Sequence, residues 1–219
     1  MTTAFRFRSL AVLMLAGLVL PLRATDVPSE AQLKRADAIV ATLHLSDSAR
    51  ASRVAALVAG QYRDLNTLQL ERDAKIKAAR EHAGSAKPAI DAEITAVRAT
   101  TDAKIAELHR DFLARLAAEL SPAQIEQVKD GTTYGVLPLT FRVYQEMLPN
   151  LTAEQKTQIH AWLVEAREHA MDGFTSEEKH AWFGKYKGRI NNYLAAAGYD
   201  MKQAEKDMLA RQKTPAAKK

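Results

Sequence analysis

Three of the six histidines lie close together, at His160, His169 and His180. In the helix predicted for this region, Glu165, His169 and Asp172 are spaced i, i+4 and i+7 and share a face. Carboxylates and imidazoles bind zinc and similar ions, and they also transfer protons. Glu165 and His169, with His180 from the next helix, are therefore a candidate metal site or acid–base pair. The alternative is an ordinary helix-stabilising contact on the surface.

The run EKHAWFGKYKGRINNYL, residues 178–194, combines two tyrosines, a tryptophan, a phenylalanine and four cations. Thr175 and Glu178 are spaced for a capping box, so a helix is predicted to begin here. One face of that helix carries cations and amides, and an arginine there can bind a carboxylate through two hydrogen bonds. The alternative is a solvated face. The candidate ligand-binding residues are Lys185, Arg189, Asn192 and Tyr186.

Aromatic and aliphatic side chains occupy the other face of the same helix, which we interpret as part of the core. Gly184 and Gly188 lie four residues apart in this helix and create a shallow notch. Each glycine costs a helix about 1 kcal/mol relative to alanine. This cost predicts the close approach of a neighbouring helix or a ligand at the two glycines.

Motifs with demanding chemistry are missing from the sequence. It contains no nucleophile elbow, P-loop, dinucleotide fingerprint or HExxH, and no cysteine. We therefore expect neither a cofactor nor a thiolate metal site. An enzyme that uses Glu165, His169 and His180 remains one of the open interpretations.

The elements that must position these residues are predicted to be helices, because alanine, leucine, glutamate, lysine, arginine and glutamine fill most of the chain. Two long helical patterns on either side of Gly84–Pro88 predict an antiparallel hairpin over residues 46–120. Ten of the fourteen aromatic residues lie between Tyr134 and Tyr199, which predicts a helical core over residues 121–211. The fold class expected is all-α, with one domain over residues 25–211.

Two details of the second half are predicted from local signals. Ser121 with Gln124 and Thr152 with Gln155 are spaced for capping boxes at two helix starts. Glycine, proline and β-branched residues between 131 and 150 predict a connector, with an extended piece around 136–143 ahead of a short helix.

The first residues are typical of a secretory signal. Arg6 and Arg8 precede the apolar run Leu10–Leu20, which is shorter than the roughly 20 residues that span a bilayer. We predict a signal peptide over residues 1–24, no membrane span after its cleavage, and a periplasmic or secreted protein. An uncleaved anchor is the alternative.

The charge of the chain argues against a nucleic-acid partner. The predicted signal holds three arginines and no acid, so 28 cations remain against 26 acids. A net charge of about +2 is small for a nucleic-acid-binding protein. The basic residues at 212–219 are predicted to form a disordered tail.

Several runs together resemble domain-of-unknown-function family 3826. They are GTTYG at 131–135, EMLPNLTAEQK at 146–156, EAREHAMD at 165–172, residues 178–194, and AGYD at 197–200. The resemblance implies a secreted bacterial helical protein of a family found among genes for polysaccharide breakdown, without established catalytic residues. The helix starts at 120–124 and 151–155 also resemble, over five residues each, the LTxxQ motifs of Spy/CpxP-type periplasmic chaperones.

The leading hypothesis is a non-enzymatic binding or accessory protein of the envelope, with an acidic glycan or an envelope protein as its partner. A Spy/CpxP-like chaperone or stress protein is the second hypothesis. An enzyme dependent on a metal or on acid–base chemistry is the third.

Overall fold

A computed structural model describes residues 27–81 and 86–213 of the chain. Within those ranges the protein has eight α-helices and no strand, which confirms the all-α prediction. The predicted signal and nearly all of the predicted tail lie outside the described residues. The helices are α1 (Glu30–Ala41), α2 (Ser48–Glu81), α3 (Lys87–Glu119), α4 (Pro122–Thr132), α5 (Val136–Met147), α6 (Ala153–Met171), α7 (Ser176–Ala196) and α8 (Met201–Lys213).

Capping boxes begin α4, α6 and α7, as the sequence predicted. In each box the N-cap hydroxyl accepts from the backbone N–H three residues later, and the side chain at that position answers the N-cap N–H. A fourth box, Ser29 with Gln32, begins α1 and was not predicted. The pairs at the other three starts are Ser121–Gln124, Thr152–Gln155 and Thr175–Glu178.

The extended piece expected around residues 136–143 is wrong, because that segment lies inside helix α5. Gly135 has a left-handed backbone (φ 65°), which lets the chain leave α4 and turn directly into the new helix. Pro138 falls in the first turn of α5, where a missing N–H costs no hydrogen bond. Leu137 and Tyr144 then bury the same face at i and i+7.

Helices α2 and α3 lie against one another along their lengths. An ion pair joins Arg53 to Glu119 at one end, and Lys104 faces Glu71 at 3.6 Å farther along. Rising residue numbers on one helix therefore meet falling numbers on the other. At 1.5 Å per residue each helix is about 50 Å long.

Buried apolar residues form two clusters. The first joins α1, α2, α3 and α4, and the second joins α5, α6 and α7, with α8 packed against it. Helix α6 reaches both, because Met171 belongs to the first cluster and Leu163 to the second. The two clusters meet beside the end of α6, and the candidate site lies at this junction. In the described ranges, no helix is long and apolar enough to cross a membrane.

Candidate functional site

A cleft of about 620 Å³ separates the long helices from the α6–α7 pair. Arg72 of α2 and Asp102 of α3 line one wall, and His169, Trp182 and Lys185 line the other. The lining combines apolar and aromatic side chains, such as Ile105 and Phe174, with a few charged groups, which is the usual character of a small-molecule site. The two walls come from helix pairs that lie far apart in the sequence. Of the residues that line the cleft, only Lys185 is among the predicted ligand-binding residues.

Trp182 is the central side chain of this wall. The His169 ring stacks on it, with 4.3 Å between centroids and an interplanar angle of 15°. The Lys185 ammonium lies 4.9 Å from the indole centroid, within the range of a cation–π contact. Trp182 is half-buried, so its ring is fixed in place while part of it meets the cleft.

The turn between α6 and α7 carries the second aromatic ring of the cleft, Phe174. The Arg72 guanidinium lies 4.6 Å from its centroid. The Phe174 N–H donates to Glu178 Oε2 at 2.7 Å, which ties the turn to the first turn of α7. A Cβ at Gly173 would lie only 3.0 Å from Lys179 Cγ, so any other residue in the tight turn would have to displace Lys179.

Lys179 fixes the same turn from behind. Its side chain is 3 % exposed, and its ammonium donates to the carbonyl oxygens of Ala170 and Met171 at 2.9 Å each. Burial lowers the pKa of Lys179 to about 8. The Ala170 carbonyl also accepts from the Gly173 N–H at 3.2 Å, so the lysine adds a second hydrogen bond there and supplies one to the Met171 carbonyl at the end of α6.

A charged network adjoins the cleft at Asp172, which lines it. His109 of α3 contacts Asp172 at 2.9 Å and Glu168 at 3.7 Å. The hydrogen bonds to these carboxylates, with Asp172 contributing most, raise the pKa of His109 to about 9. Burial alone would raise the pKa of Glu168, but hydrogen bonds from His109 and Lys129 outweigh it and lower the pKa to about 2. His109 is therefore a cation at neutral pH.

The same network continues to a buried guanidinium. Arg167 is 2 % exposed and pairs with Asp130 at 2.8 Å, with Glu168 at 3.2 Å, and with Glu126. Desolvation would lower the pKa of Arg167, but the two carboxylates of α4 raise it overall. The network joins α3, α4 and α6 and so fixes the long helices relative to the wall of the cleft.

The candidate metal ligands face different partners. Glu165 pairs with Arg189 at 3.6 Å, and His169 stacks on Trp182. His180 stacks on Tyr134 and donates from Nδ1 to the Ser176 carbonyl at 2.7 Å. Across residues 27–81 and 86–213, no group of three or more histidine, aspartate or glutamate side chains is arranged to hold a metal ion. Sequence reasoning missed His109, whose pKa is raised by its carboxylate partners.

The four candidate ligand-binding residues also separate. Lys185 lines the cleft, whereas Arg189 is engaged by Glu165 and lies with its guanidinium carbon 4.6 Å from the Trp162 centroid. Tyr186 is buried, and Asn192 is exposed. Helical spacing alone could not show which neighbour each of these residues would meet.

The prediction that a neighbouring helix closely approaches Gly184 and Gly188 is wrong. A Cβ built at either glycine would meet no atom within 4 Å among the described residues. Both glycines are exposed, and the neighbouring helix α6 packs against the other side of α7, where Phe183 and Ile190 are buried.

Comparison with known proteins places this chain in a family without assigning an activity. No curated protein matches the sequence. The match to a family extends over residues 29–214, which includes every helix described above. The chain therefore belongs to the family described as "Protein of unknown function (DUF3826)".

Proposed function

We propose that the protein is a non-enzymatic binding protein whose ligand, an acidic saccharide, occupies the cleft between the long helices and the α6–α7 pair. The observation that carries the proposal is the fixed Trp182 ring with Lys185 beside it. His169 covers one face of the indole and the exposed Lys185 lies over the ring, so a sugar ring packs against the indole when the Lys185 ammonium turns from the ring to the sugar carboxylate.

The charges within the cleft favour an anionic ligand. Three acids line it, but Asp172 is occupied by His109, and Glu178 accepts from the backbone N–H groups of Phe174 and Thr175. The third acid is Asp102, which is exposed. Lys185 supplies positive charge on one wall. Arg72 supplies it on the other, where it pairs with Asp73 at 2.9 Å, a partly exposed pair whose carboxylate a ligand can replace. Asp102 can therefore accept hydrogen bonds from sugar hydroxyls, and the cations of Lys185 and Arg72 can pair with an acidic group.

The state of His109 argues against its acting as a general base. A general base must be unprotonated near the working pH. His109 holds its proton up to a pKa of about 9 and directs both ring nitrogens at carboxylates. We interpret it as a support for the cleft wall. With the secretory signal predicted at residues 1–24, the proposed protein acts in the periplasm or outside the cell.

The two tryptophans of the chain allow a direct test. In a Trp162→Phe protein, Trp182 is the only indole, so its fluorescence reports on the cleft. Titration with a uronic acid trisaccharide is expected to change the emission of Trp182. The same trisaccharide with its carboxyl groups reduced to alcohols is expected to bind at least tenfold more weakly, because it cannot pair with Lys185 or Arg72.

A matched pair of charge removals supplies the control. Lys185→Ala is expected to weaken binding of the acidic trisaccharide about tenfold. Lys187→Ala removes an equal charge from an exposed position of the same helix that does not line the cleft, and it is expected to change little. An unchanged Trp182 emission with both sugars at millimolar concentration would overturn the proposal.

A further inference from the structure

The cleft continues into a strip of paired aromatic and charged side chains along the seam between α6 and α7. At the cleft end, His169 of α6 faces Trp182 of α7. At the far end, Trp162 meets Tyr193 edge to face, with 5.2 Å between ring centroids. We call this row of side chains, from Trp182 to Trp162, the strip.

The middle of the strip repeats the arrangement found in the cleft. The Arg189 guanidinium lies 4.6 Å from the centroid of Trp162, just as the Lys185 ammonium lies 4.9 Å from that of Trp182. Each tryptophan therefore carries one cation from α7 close to its ring. Buried Tyr186 lies between the two pairs.

The side chains of the strip remain accessible. Trp162, Trp182 and Tyr193 are all half-buried, and the Arg189 and Glu165 side chains are 55 % and 51 % exposed. From Trp182 to Tyr193 the α7 backbone rises about 16 Å. That length exceeds a single sugar ring, so a ligand confined to the cleft would leave half of the strip unused.

We infer that the strip is a second part of the binding site, and that the ligand is a chain of several acidic sugar units running from Trp182 in the cleft to Trp162. The inference rests on the proposed function, since it extends the same ligand beyond the cleft. In the free protein, Arg189 is paired with Glu165 at 3.6 Å. Because both groups are about half exposed, a ligand carboxylate can replace Glu165 as the partner of Arg189.

Single-tryptophan proteins separate the two parts of the site. Trp162→Phe leaves Trp182 to report on the cleft, and Trp182→Phe leaves Trp162 to report on the strip. The probes are a uronic acid disaccharide and a hexasaccharide of the same linkage. We expect the hexasaccharide to change the emission of both proteins, and the disaccharide to change that of Trp182 alone. We also expect the hexasaccharide to bind at least tenfold more tightly than the disaccharide.

Arginine substitutions provide the second readout. Arg189→Ala is expected to weaken hexasaccharide binding five- to tenfold and to leave disaccharide binding unchanged. Arg142→Ala is the control, since it removes an exposed arginine of α5 that is also paired with a glutamate. A response at Trp182 without any at Trp162, with equal affinity for both probes, would overturn the extended site while leaving the cleft proposal intact. No response at Trp182 to either probe would overturn both.

Discussion

The α2–α3 pair and the α6–α7 pair are both antiparallel helix pairs, but their interiors differ. In the outer half of the long pair, Ile76, Ala79 and Thr101 are the buried residues within the described ranges. The shorter α6–α7 pair buries side chains along most of its length, including the large Leu163, Phe183 and Ile190. A pair of helices with no third layer exposes most of each helix, so length alone adds little core.

This difference in packing indicates which wall of the cleft is rigid. The wall formed by α6 and α7 belongs to a densely packed cluster, whereas the opposite wall includes Arg72 and Asp102 from the thinly packed outer half of the long helices. Regions with few buried apolar contacts open locally at low free energy. Movement that admits a ligand is therefore expected from the outer half of the long helices, beyond the point at which His109 ties α3 to α6.

Truncating a core side chain in each pair should give the largest contrast. Leu163 is fully buried among large neighbours, so Leu163→Ala should lower the free energy of unfolding by about 3–5 kcal/mol. Ile76→Ala should cost about 2 kcal/mol or less, because the neighbours of Ile76 can collapse onto the space. Urea unfolding measures both values. Equal costs would show that the outer half of the long helices is as well packed as α6–α7.

The contribution of His109, which joins α3 to α6, to the stability of the protein should depend on pH. The pKa of His109 is about 9 in the folded protein and 6.5 as the ordinary value. Between pH 6.5 and 9 the unfolded chain therefore loses a proton that the folded protein keeps, and stability falls as pH rises. At pH 6 the free energy of unfolding of the wild-type protein should exceed that of His109→Gln by about 1–3 kcal/mol. This difference should vanish by pH 10.

Urea midpoints at pH 6, 8 and 10 test the sign of that dependence. Glutamine cannot titrate but can still donate to Asp172, so it serves as a neutral control in the same place. A gain that grew with pH would contradict a charged His109 in the folded state.

Replacing the glycines of α7 by alanine should change the free energy of unfolding by a smaller amount, and should raise it. Gly184 and Gly188 have room for a methyl group, so each change to alanine should raise the free energy of unfolding by about 0.5–1 kcal/mol. Gly60 of α2, where a Cβ would come no closer than 4.0 Å to Arg63, should respond alike. Thermal unfolding measures all three variants. A loss of stability at Gly184 or Gly188 alone would indicate a contact made by residues outside the described ranges.

Local signals in the sequence were sufficient for the helices and not for the site. The capping boxes at Ser121, Thr152 and Thr175 depend on residues three positions apart, so they could be predicted directly. The segment after Gly135 was predicted incorrectly, because β-branched residues suggested a strand while the buried face of a helix decided the outcome.

The cleft could be predicted only in part, because contacts between helices far apart in sequence form it. Lys185 and His169 were singled out for their chemistry, and both line the cleft. His109, Arg72 and Asp102 carried no local signal that distinguished them from other polar residues of long helices. Their roles follow from which residues of α2 and α3 happen to face α6 and α7.

Removing an exposed ion pair from the long helices should give the smallest effect. Lys104 faces Glu71 at 3.6 Å, and both side chains are about half exposed. Water and salt screen such a pair, so Lys104→Ala should cost no more than about 0.5 kcal/mol in urea unfolding at 150 mM salt. Repeating the measurement at 1 M salt should abolish even that difference. A cost above 1 kcal/mol that survived high salt would mean that the Lys104 stem packs across α2 and α3, and that the outer half of the long helices is held by more than its few buried residues.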